Sequence, residues 1–239
     1  KYIRFISLVA HEYFHTFNVK RIRPIELGPF NYQTEHYSKM LWLAEGATSY
    51  YDEYILKRAR IIDIKEYFEL LNSNFTRYFN IPGRNVLSTK DSSFLAWIKL
   101  YIPDENFINS GISYYLSGGL ITLVMDLKIR ELTNSKKSLD DVYKLLWQKF
   151  KIDGKGITEQ EFFNFCKDVC GDELKEIQDY LNEPKEIGFE SAFEPFGIKF
   201  TPTYKKDDEK DTSWLGIQFD PKDKLIVKFV KSHGPAYLA

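Results

Sequence analysis

The chain contains 239 residues, of which 44% are hydrophobic, and this is enough apolar material to bury the core of a large domain. Its 33 basic and 34 acidic residues nearly cancel to a formal net charge of −1. This charge balance, together with the lack of an uninterrupted apolar run of about 20 residues, leads us to expect neither a nucleic acid nor a membrane as a partner.

Apolar residues at helical spacing predict a mainly α fold over most of the chain. The first predicted helix covers residues 1–18, and because the chain begins inside it we expect a fragment of a longer protein. Further helices are predicted over 37–59, 64–77 and 112–132, from Ser138 onward, and over 158–171 and 173–182. Ser138 and Thr158 are each followed three positions later by an acidic residue, a pattern typical of helix N-termini.

Beyond Gly188 the predicted helices give way to short β-like segments. Residues 198–204 form the first of them, and residues 214–219 and 225–230 predict two strands separated by a turn. Residues 205–211 are all charged and are typical of a solvated linker. We therefore predict a helical domain over residues 1–204, a linker over 205–213 and a separate β segment over 214–239.

The two cysteines, Cys166 and Cys170, lie four positions apart on a predicted helix. Helical geometry at this spacing rarely suits a disulfide, so we predict two free thiols. Free thiols are typical of proteins in a reducing compartment, and on this basis we predict a cytoplasmic protein.

The sequence HEYFH at residues 11–15 combines two metal ligands and a base in the first predicted helix. Residues four apart share a helical face, so His11 and His15 can bind one zinc ion through their imidazole rings. Glu12 lies to one side of the pair, where its carboxylate can take a proton from an attacking water molecule. With only 4 histidines in the chain, composition alone rarely produces this motif. The alternative is a surface helix with two solvated histidines.

A catalytic zinc ion needs a third protein ligand and one open coordination position. Glu45 is the first candidate, because it lies among apolar residues of the second predicted helix, where an unpaired carboxylate would be costly. His36 is a rival, although its polar surroundings favour an exposed loop. Thr48, Ser49 and Asp52 are candidates for hydrogen bonds to the two histidines, and the sequence does not choose among them.

Two strings carry a family resemblance. HEYFHTFNVKRIRP at 11–24 and MLWLAEGATSYYDEY at 40–54 are similar to motifs of the glycyl aminopeptidases. These enzymes are gluzincins, whose helical catalytic domain is thermolysin-like. The resemblance implies a Zn²⁺-dependent peptidase with Glu45 as third ligand, and a peptide substrate with a small N-terminal residue such as Gly or Ala. It also implies a β-rich domain before the catalytic domain and a PDZ domain after it.

The resemblance extends to a tyrosine and to the end of the chain. SYYLSGG at 113–119 resembles the family's S-Y-Y-x-K-G segment, with Ser117 where Lys is usual. In related aminopeptidases a tyrosine at this place hydrogen-bonds the oxyanion, which implies that role for Tyr115, with Tyr114 in reserve. WLGI at 214–217 and SHGPA at 232–236 resemble the beginning of a PDZ domain. A complete PDZ domain would bind a C-terminal peptide.

The motifs together predict a zinc peptidase that acts on peptides or proteins. Lys20, Arg21 and Arg23, just after the zinc-binding helix, either contact the substrate or form a solvated loop. Two other functions remain open: an endopeptidase whose PDZ domain presents substrates, and a non-catalytic scaffold that keeps the fold for PDZ contacts. Glu12 argues against the scaffold, which has no need of a base at this position.

Overall fold

Helices make up most of the residues that the computed structural model describes, which are 2–203, 214–223 and 226–239. In chain order the helices are α1 (Tyr2–Phe14), α2 (Ala47–Arg58), α3 (Ile64–Phe79), α4 (Thr89–Phe94), α5 (Phe107–Ser110), α6 (Tyr114–Leu132), α7 (Leu139–Asp153), α8 (Glu159–Cys170), α9 (Lys175–Asn182), α10 (Phe189–Phe193) and α11 (Pro235–Leu238). The strands are β1 (Ile217–Phe219) and β2 (Val227–Val230). The prediction of a mainly α chain with a short β segment is confirmed.

The starts of α7 and α8 are fixed by hydrogen bonds between side chains and backbone N–H groups. The Thr158 hydroxyl accepts a hydrogen bond from the Glu161 N–H at 3.2 Å, and the Glu161 carboxylate in turn accepts from the Thr158 N–H at 2.8 Å. The Ser138 N–H likewise donates to the Asp141 carboxylate at 3.0 Å. Both N-termini predicted from the sequence are therefore confirmed.

Helix α6 runs through the centre of the core. Its side chains pack against α2, against the turn that precedes α2, and against α3 and α9, and Met125 and Ile129 are fully buried. By length and composition alone, Phe107–Leu132 is the one helical segment among the described residues that could cross a membrane. However, 72% of its most apolar 18-residue stretch is buried inside the protein.

The crossing of α6 with the chain before α2 depends on two glycines. A Cβ atom at Gly46 would lie 2.7 Å from the Cα of Gly118 and 2.8 Å from the carbonyl oxygen of Tyr114. Real Cβ atoms do not approach backbone atoms so closely, and only glycine permits this contact. The beginning of α6 is thereby held directly against the residue that follows Glu45.

The second predicted helix, 37–59, begins later than expected. Residues before Leu41 are not helical, and Trp42–Gly46 form a π-helical turn that continues into α2. The hydroxyl of Ser38 accepts a hydrogen bond from the Met40 N–H at 3.0 Å, and Ser93 accepts from the Trp42 N–H at 3.0 Å. Side chains thus satisfy N–H groups that a longer helix would have used.

The β-like segment predicted at 198–204 forms no strand over its described residues, 198–203. Phe200 instead packs its ring against Phe75 and Phe193, at centroid distances of 5.0 and 6.0 Å. Its aromatic character therefore reflects core packing, which sequence alone does not separate from strand propensity. The linker predicted at 205–213 lies outside the described residues.

Strands β1 and β2 form an antiparallel pair, with Ile217 opposite Val230. The pair contacts the helical part through Asn109, whose side-chain amide donates to the Val230 carbonyl at 2.8 Å and whose oxygen accepts from the Ser232 N–H at 2.8 Å. Strands of three and four residues are too short to identify a PDZ domain, and this interpretation stays a prediction. Cys166 and Cys170 are both free, as predicted.

Candidate metal centre

His11 lies in the last turn of α1, and His15 is the first residue after this helix, where its N–H still donates to the His11 carbonyl at 3.1 Å. The ring centroids of the two histidines are 4.7 Å apart. Their Nε2 atoms face the same carboxylate oxygen of Glu45, at 3.2 Å from His11 and 3.1 Å from His15. One potential ligand atom from each residue lies within 4.8 Å of the other two. The structure thus brings together three residues that the sequence predicts as ligands, and together they could hold one metal ion.

Glu45 reaches this position from the π-helical turn Trp42–Gly46. Its neighbours Leu43 and Ala44 are 1% exposed, so the turn is anchored in the core while the carboxylate points to the two histidines. A π-helical turn widens the helix by one residue and shifts side chains around the axis, and such turns are frequent at functional sites. The carboxylate of Glu45, which would be costly to bury without a partner, is thereby paired with the two imidazoles.

Each histidine is oriented by a hydrogen bond from its other ring nitrogen. His11 Nδ1 donates to the Asp52 carboxylate at 3.0 Å, and the second Asp52 oxygen accepts from the Ser7 hydroxyl at 3.0 Å. His15 Nδ1 donates to the backbone carbonyl of Asn18 at 2.7 Å. In the neutral form of each ring, these bonds leave the lone pair on Nε2, the atom that faces Glu45, as in many metal-binding histidines. Of the three candidates for this supporting role, the structure selects Asp52.

Asn18 links the two segments that carry the candidate ligands, and sequence reasoning missed it. Its side chain is 1% exposed and donates hydrogen bonds to the Leu43 carbonyl at 2.7 Å and to the Thr48 hydroxyl at 3.1 Å. The same residue accepts from His15 through its backbone. A polar residue three positions after the second histidine is the one sequence signal that could have indicated it.

The charges of the cluster are strongly coupled. Burial raises the pKa of Glu45, but the hydrogen bonds from His11 and His15 outweigh burial and bring this pKa down to about 2. Burial lowers the pKa of His11, but hydrogen bonds to Asp52 and Glu45 outweigh it and raise this pKa to about 9. The pKa of His15 is raised for the same kind of reason. A cation that binds here must therefore displace protons from the imidazoles.

Glu12 and Tyr115 line the same open cleft as the three candidate ligands. The cleft has a volume of about 590 Å³, and Arg4 from α1, which sequence reasoning did not select, also lines it. Glu12 is exposed, so its carboxylate can reach a ligand in the cleft. The Tyr115 ring stacks on His11 at a centroid distance of 6.3 Å. Burial raises the pKa of Tyr115 above its ordinary value, so at neutral pH the phenol is a hydrogen-bond donor.

The reserve residue, Tyr114, is placed differently from Tyr115. It is 1% exposed and does not line the cleft, and its hydroxyl lies 3.1 Å from the Tyr101 hydroxyl, which is itself 3.4 Å from that of Tyr115. The geometry therefore favours Tyr115 over Tyr114 for a role toward a ligand.

Several other residues singled out in the sequence lie outside the cleft. His36 donates from Nε2 to the Asn31 carbonyl at 2.9 Å and is not part of the candidate metal cluster. Arg21 donates to the Thr16 carbonyl and lies 5.8 Å from the Trp147 ring. Both residues therefore contact other parts of the chain and lie away from the candidate ligands.

Three further candidates serve other contacts. Arg23 lies 5.4 Å from the Phe30 ring. The Thr48 hydroxyl donates to the Ala44 carbonyl at 2.7 Å, and Ser49 lines a neighbouring cavity.

Comparison with known proteins gives two findings. Residues 4–121 match the family model described as M61 glycyl aminopeptidase, and this range includes every candidate site residue. A solved structure described as an aminopeptidase N family protein from Idiomarina loihiensis is similar, with 36% sequence identity and a TM-score of 0.78. The similarity covers 82% of this chain and 34% of that chain, so the present chain spans about a third of that protein's length. No curated protein gives a significant match.

Proposed function

We propose that this chain, which belongs over residues 4–121 to the M61 glycyl aminopeptidase family, is the zinc-binding catalytic part of an aminopeptidase. The family description and the aminopeptidase N-like neighbour both support a peptidase. The identity of the metal, the substrate preference and the activity of the whole protein are parts of this proposal.

The convergence of His11, His15 and Glu45 carries the proposal. Ligand atoms about 2.0–2.1 Å from a tetrahedral zinc ion lie roughly 3.3 Å from one another. Glu45 Oε2 lies 3.2 and 3.1 Å from the two Nε2 atoms, close to this separation. Two neutral imidazoles and one carboxylate are also a donor set typical of catalytic zinc, with the fourth position open.

In this proposal His11, His15 and Glu45 hold the zinc ion. When bound, the ion would lower the pKa of a water molecule and polarise the carbonyl of the scissile bond. Glu12, beside the ligands and facing the cleft, accepts the proton of the attacking water and passes it to the amine of the leaving peptide. Tyr115 donates a hydrogen bond to the oxyanion and keeps its own proton, because its raised pKa disfavours ionisation.

The substrate in this proposal is a peptide with a free N-terminus and a small first residue, Gly or Ala. Paired peptides that differ only in N-terminal acetylation test this point. We expect the free peptide to be cleaved and its acetylated counterpart to be nearly inert. Equal cleavage of both would contradict the aminopeptidase and favour an endopeptidase.

Metal content and the role of Glu12 test the mechanism directly. We expect one zinc ion per chain, whose anomalous scattering lies within about 2.0–2.2 Å of the three ligands. Glu12→Gln in the intact protein should retain zinc and lose peptide hydrolysis by at least about 100-fold, as expected for loss of a general base. Glu35→Gln, at an exposed carboxylate outside the cleft, is the matched control and should have no effect. Undiminished hydrolysis in Glu12→Gln would refute the mechanism.

A further inference from the structure

A second cavity lies directly beside the metal cleft. It has a volume of about 170 Å³ and is formed mainly by α2, α3 and α6. Asp52, Tyr115 and Ser7 line both spaces, so the cavity and the cleft share a wall. The volume is below the roughly 300 Å³ of a small drug-sized ligand pocket, so it suits a single side chain or a chain terminus.

The cavity combines apolar walls with one half-buried carboxylate. Leu116, Leu120 and Leu123 from α6 form apolar surface, and Glu53 from α2 contributes the carboxylate. Asn74 Nδ2 lies 3.1 Å from each Glu53 oxygen and donates to them. An ionised carboxylate has about four acceptor sites, so this amide leaves acceptor capacity toward the cavity.

Glu53 forms no close ion pair among the described residues. Arg77 lines the same cavity and its charge lowers the pKa of Glu53, but its side chain is exposed and does not reach ion-pair distance of that carboxylate. Asp52, the other acidic residue of the lining, already accepts hydrogen bonds from His11 and Ser7. An anionic ligand would be repelled by two carboxylates here. A cationic ligand, by contrast, would itself be the close counter-ion that Glu53 lacks.

We propose that this cavity binds a primary ammonium group of the substrate, with Glu53 as counter-ion and the leucines around the aliphatic stem. The inference rests on the proposed peptidase function, because it treats the cavity as a subsite of that active site. Two parts of a peptide carry this chemistry: a lysine side chain next to the cleaved bond, and the free α-amino terminus.

Peptide binding without turnover tests the proposal. The intact, zinc-loaded Glu12→Gln variant is titrated calorimetrically at about pH 8, where Glu53, with a pKa of about 7, is mostly ionised. The probes are Ala-Lys-Ala-Ala, the same peptide with norleucine in place of lysine, and the N-acetylated form of each. A charge-assisted hydrogen bond in a partly buried site should favour the cationic probe by about tenfold or more.

Glu53→Gln on the same background distinguishes the two sources of ammonium. If it abolishes the preference for lysine over norleucine, the cavity binds the side chain. If it abolishes the loss of affinity caused by acetylation, the cavity binds the chain terminus. Glu69→Gln, at an exposed carboxylate on α3 outside the cavity, is the control and should change neither difference. Persistence of both differences in Glu53→Gln would overturn the proposal.

A second variant tests the same carboxylate without changing it. Asn74→Lys brings an internal ammonium to the atoms that Asn74 now contacts, so it should abolish the same preference as Glu53→Gln. Failure of the proposed function gives a different result. Absence of hydrolysis in the parent protein, with probe binding still dependent on Glu53, would refute the peptidase and leave the subsite intact.

Discussion

The contact between Gly46 and α6 gives the sharpest test of how the fold positions the metal ligands. A Cβ atom at Gly46 would lie 2.7 Å from Gly118 Cα and 2.8 Å from the Tyr114 carbonyl oxygen. Ordinary van der Waals contact begins near 3.4 Å, so Gly46→Ala must separate the two segments by about 0.7 Å. Because the opposing atoms are backbone, no side chain can rotate away.

The expected magnitude follows from two opposing effects. Overpacking of this kind costs about 1–3 kcal/mol. Replacement of glycine by alanine in a helix returns up to about 1 kcal/mol of backbone entropy and helix propensity. We therefore expect Gly46→Ala to lower the free energy of unfolding by about 1–2 kcal/mol. The same displacement moves the adjacent Glu45 relative to the histidines, so zinc affinity should fall by about tenfold.

Urea unfolding of the metal-free protein and competition with a zinc chelator measure the two effects separately. Gly119→Ala is the matched control, because its Cβ atom would meet no atom closer than 3.3 Å, and it should be nearly neutral. Equal stability of Gly46→Ala and the parent would refute the packing argument. A destabilised Gly46→Ala protein with unchanged zinc affinity would refute the link from this contact to Glu45.

Three further predictions concern the cluster and its surroundings. Asp52→Asn removes the negative charge behind His11 and should weaken zinc binding by about 10–100-fold in chelator competition; unchanged affinity would contradict the orienting role. Tyr115→Phe should lower kcat by about 100-fold while zinc content stays at one per chain; full activity would eliminate this residue as the oxyanion donor. Burial, reinforced by the charge of Asp52, raises the pKa of Glu53 from 4.5 to about 7, so the folded state binds the proton more tightly than the unfolded chain. Stability should therefore fall as pH rises through this interval, and above about pH 7 Glu53→Gln should be more stable than the parent by roughly 1–3 kcal/mol in urea unfolding, with no difference near pH 4.

Local sequence patterns predicted the three candidate metal ligands. The spacing of His11 and His15 already places both rings on one helical face, and this geometry needs no tertiary information. Glu45 could be inferred because a carboxylate among apolar neighbours needs a partner. The helix N-terminus at Thr158 was likewise visible, because its hydrogen bonds join residues three positions apart.

The supporting structure depends on contacts between distant residues and was not visible in the sequence. Asp52 reaches His11 across 41 positions, and nothing local distinguishes it from Thr48 or Ser49. Asn18 acts toward His15 through a backbone carbonyl, which every residue possesses. The helical chain before α2 starts at Leu41 because Ser38 and the distant Ser93 accept hydrogen bonds from nearby N–H groups, so helical periodicity alone predicted that start too early.

The three candidate ligands come from only two segments, and this has a consequence for folding. His11 and Glu45 are separated by 34 positions, and a metal ion bound to both would close the intervening chain into a loop. A cross-link that stays closed in the unfolded chain lowers the conformational entropy of that chain, and for a loop of this length this stabilises the folded state by about 3–4 kcal/mol. An ion that binds only the native arrangement acts differently, because it stabilises the native state by mass action. The increase in melting temperature caused by zinc should therefore grow with the logarithm of the free zinc concentration. This is the behaviour of a reversibly bound ligand, whereas a covalent cross-link would raise the melting temperature by a fixed amount.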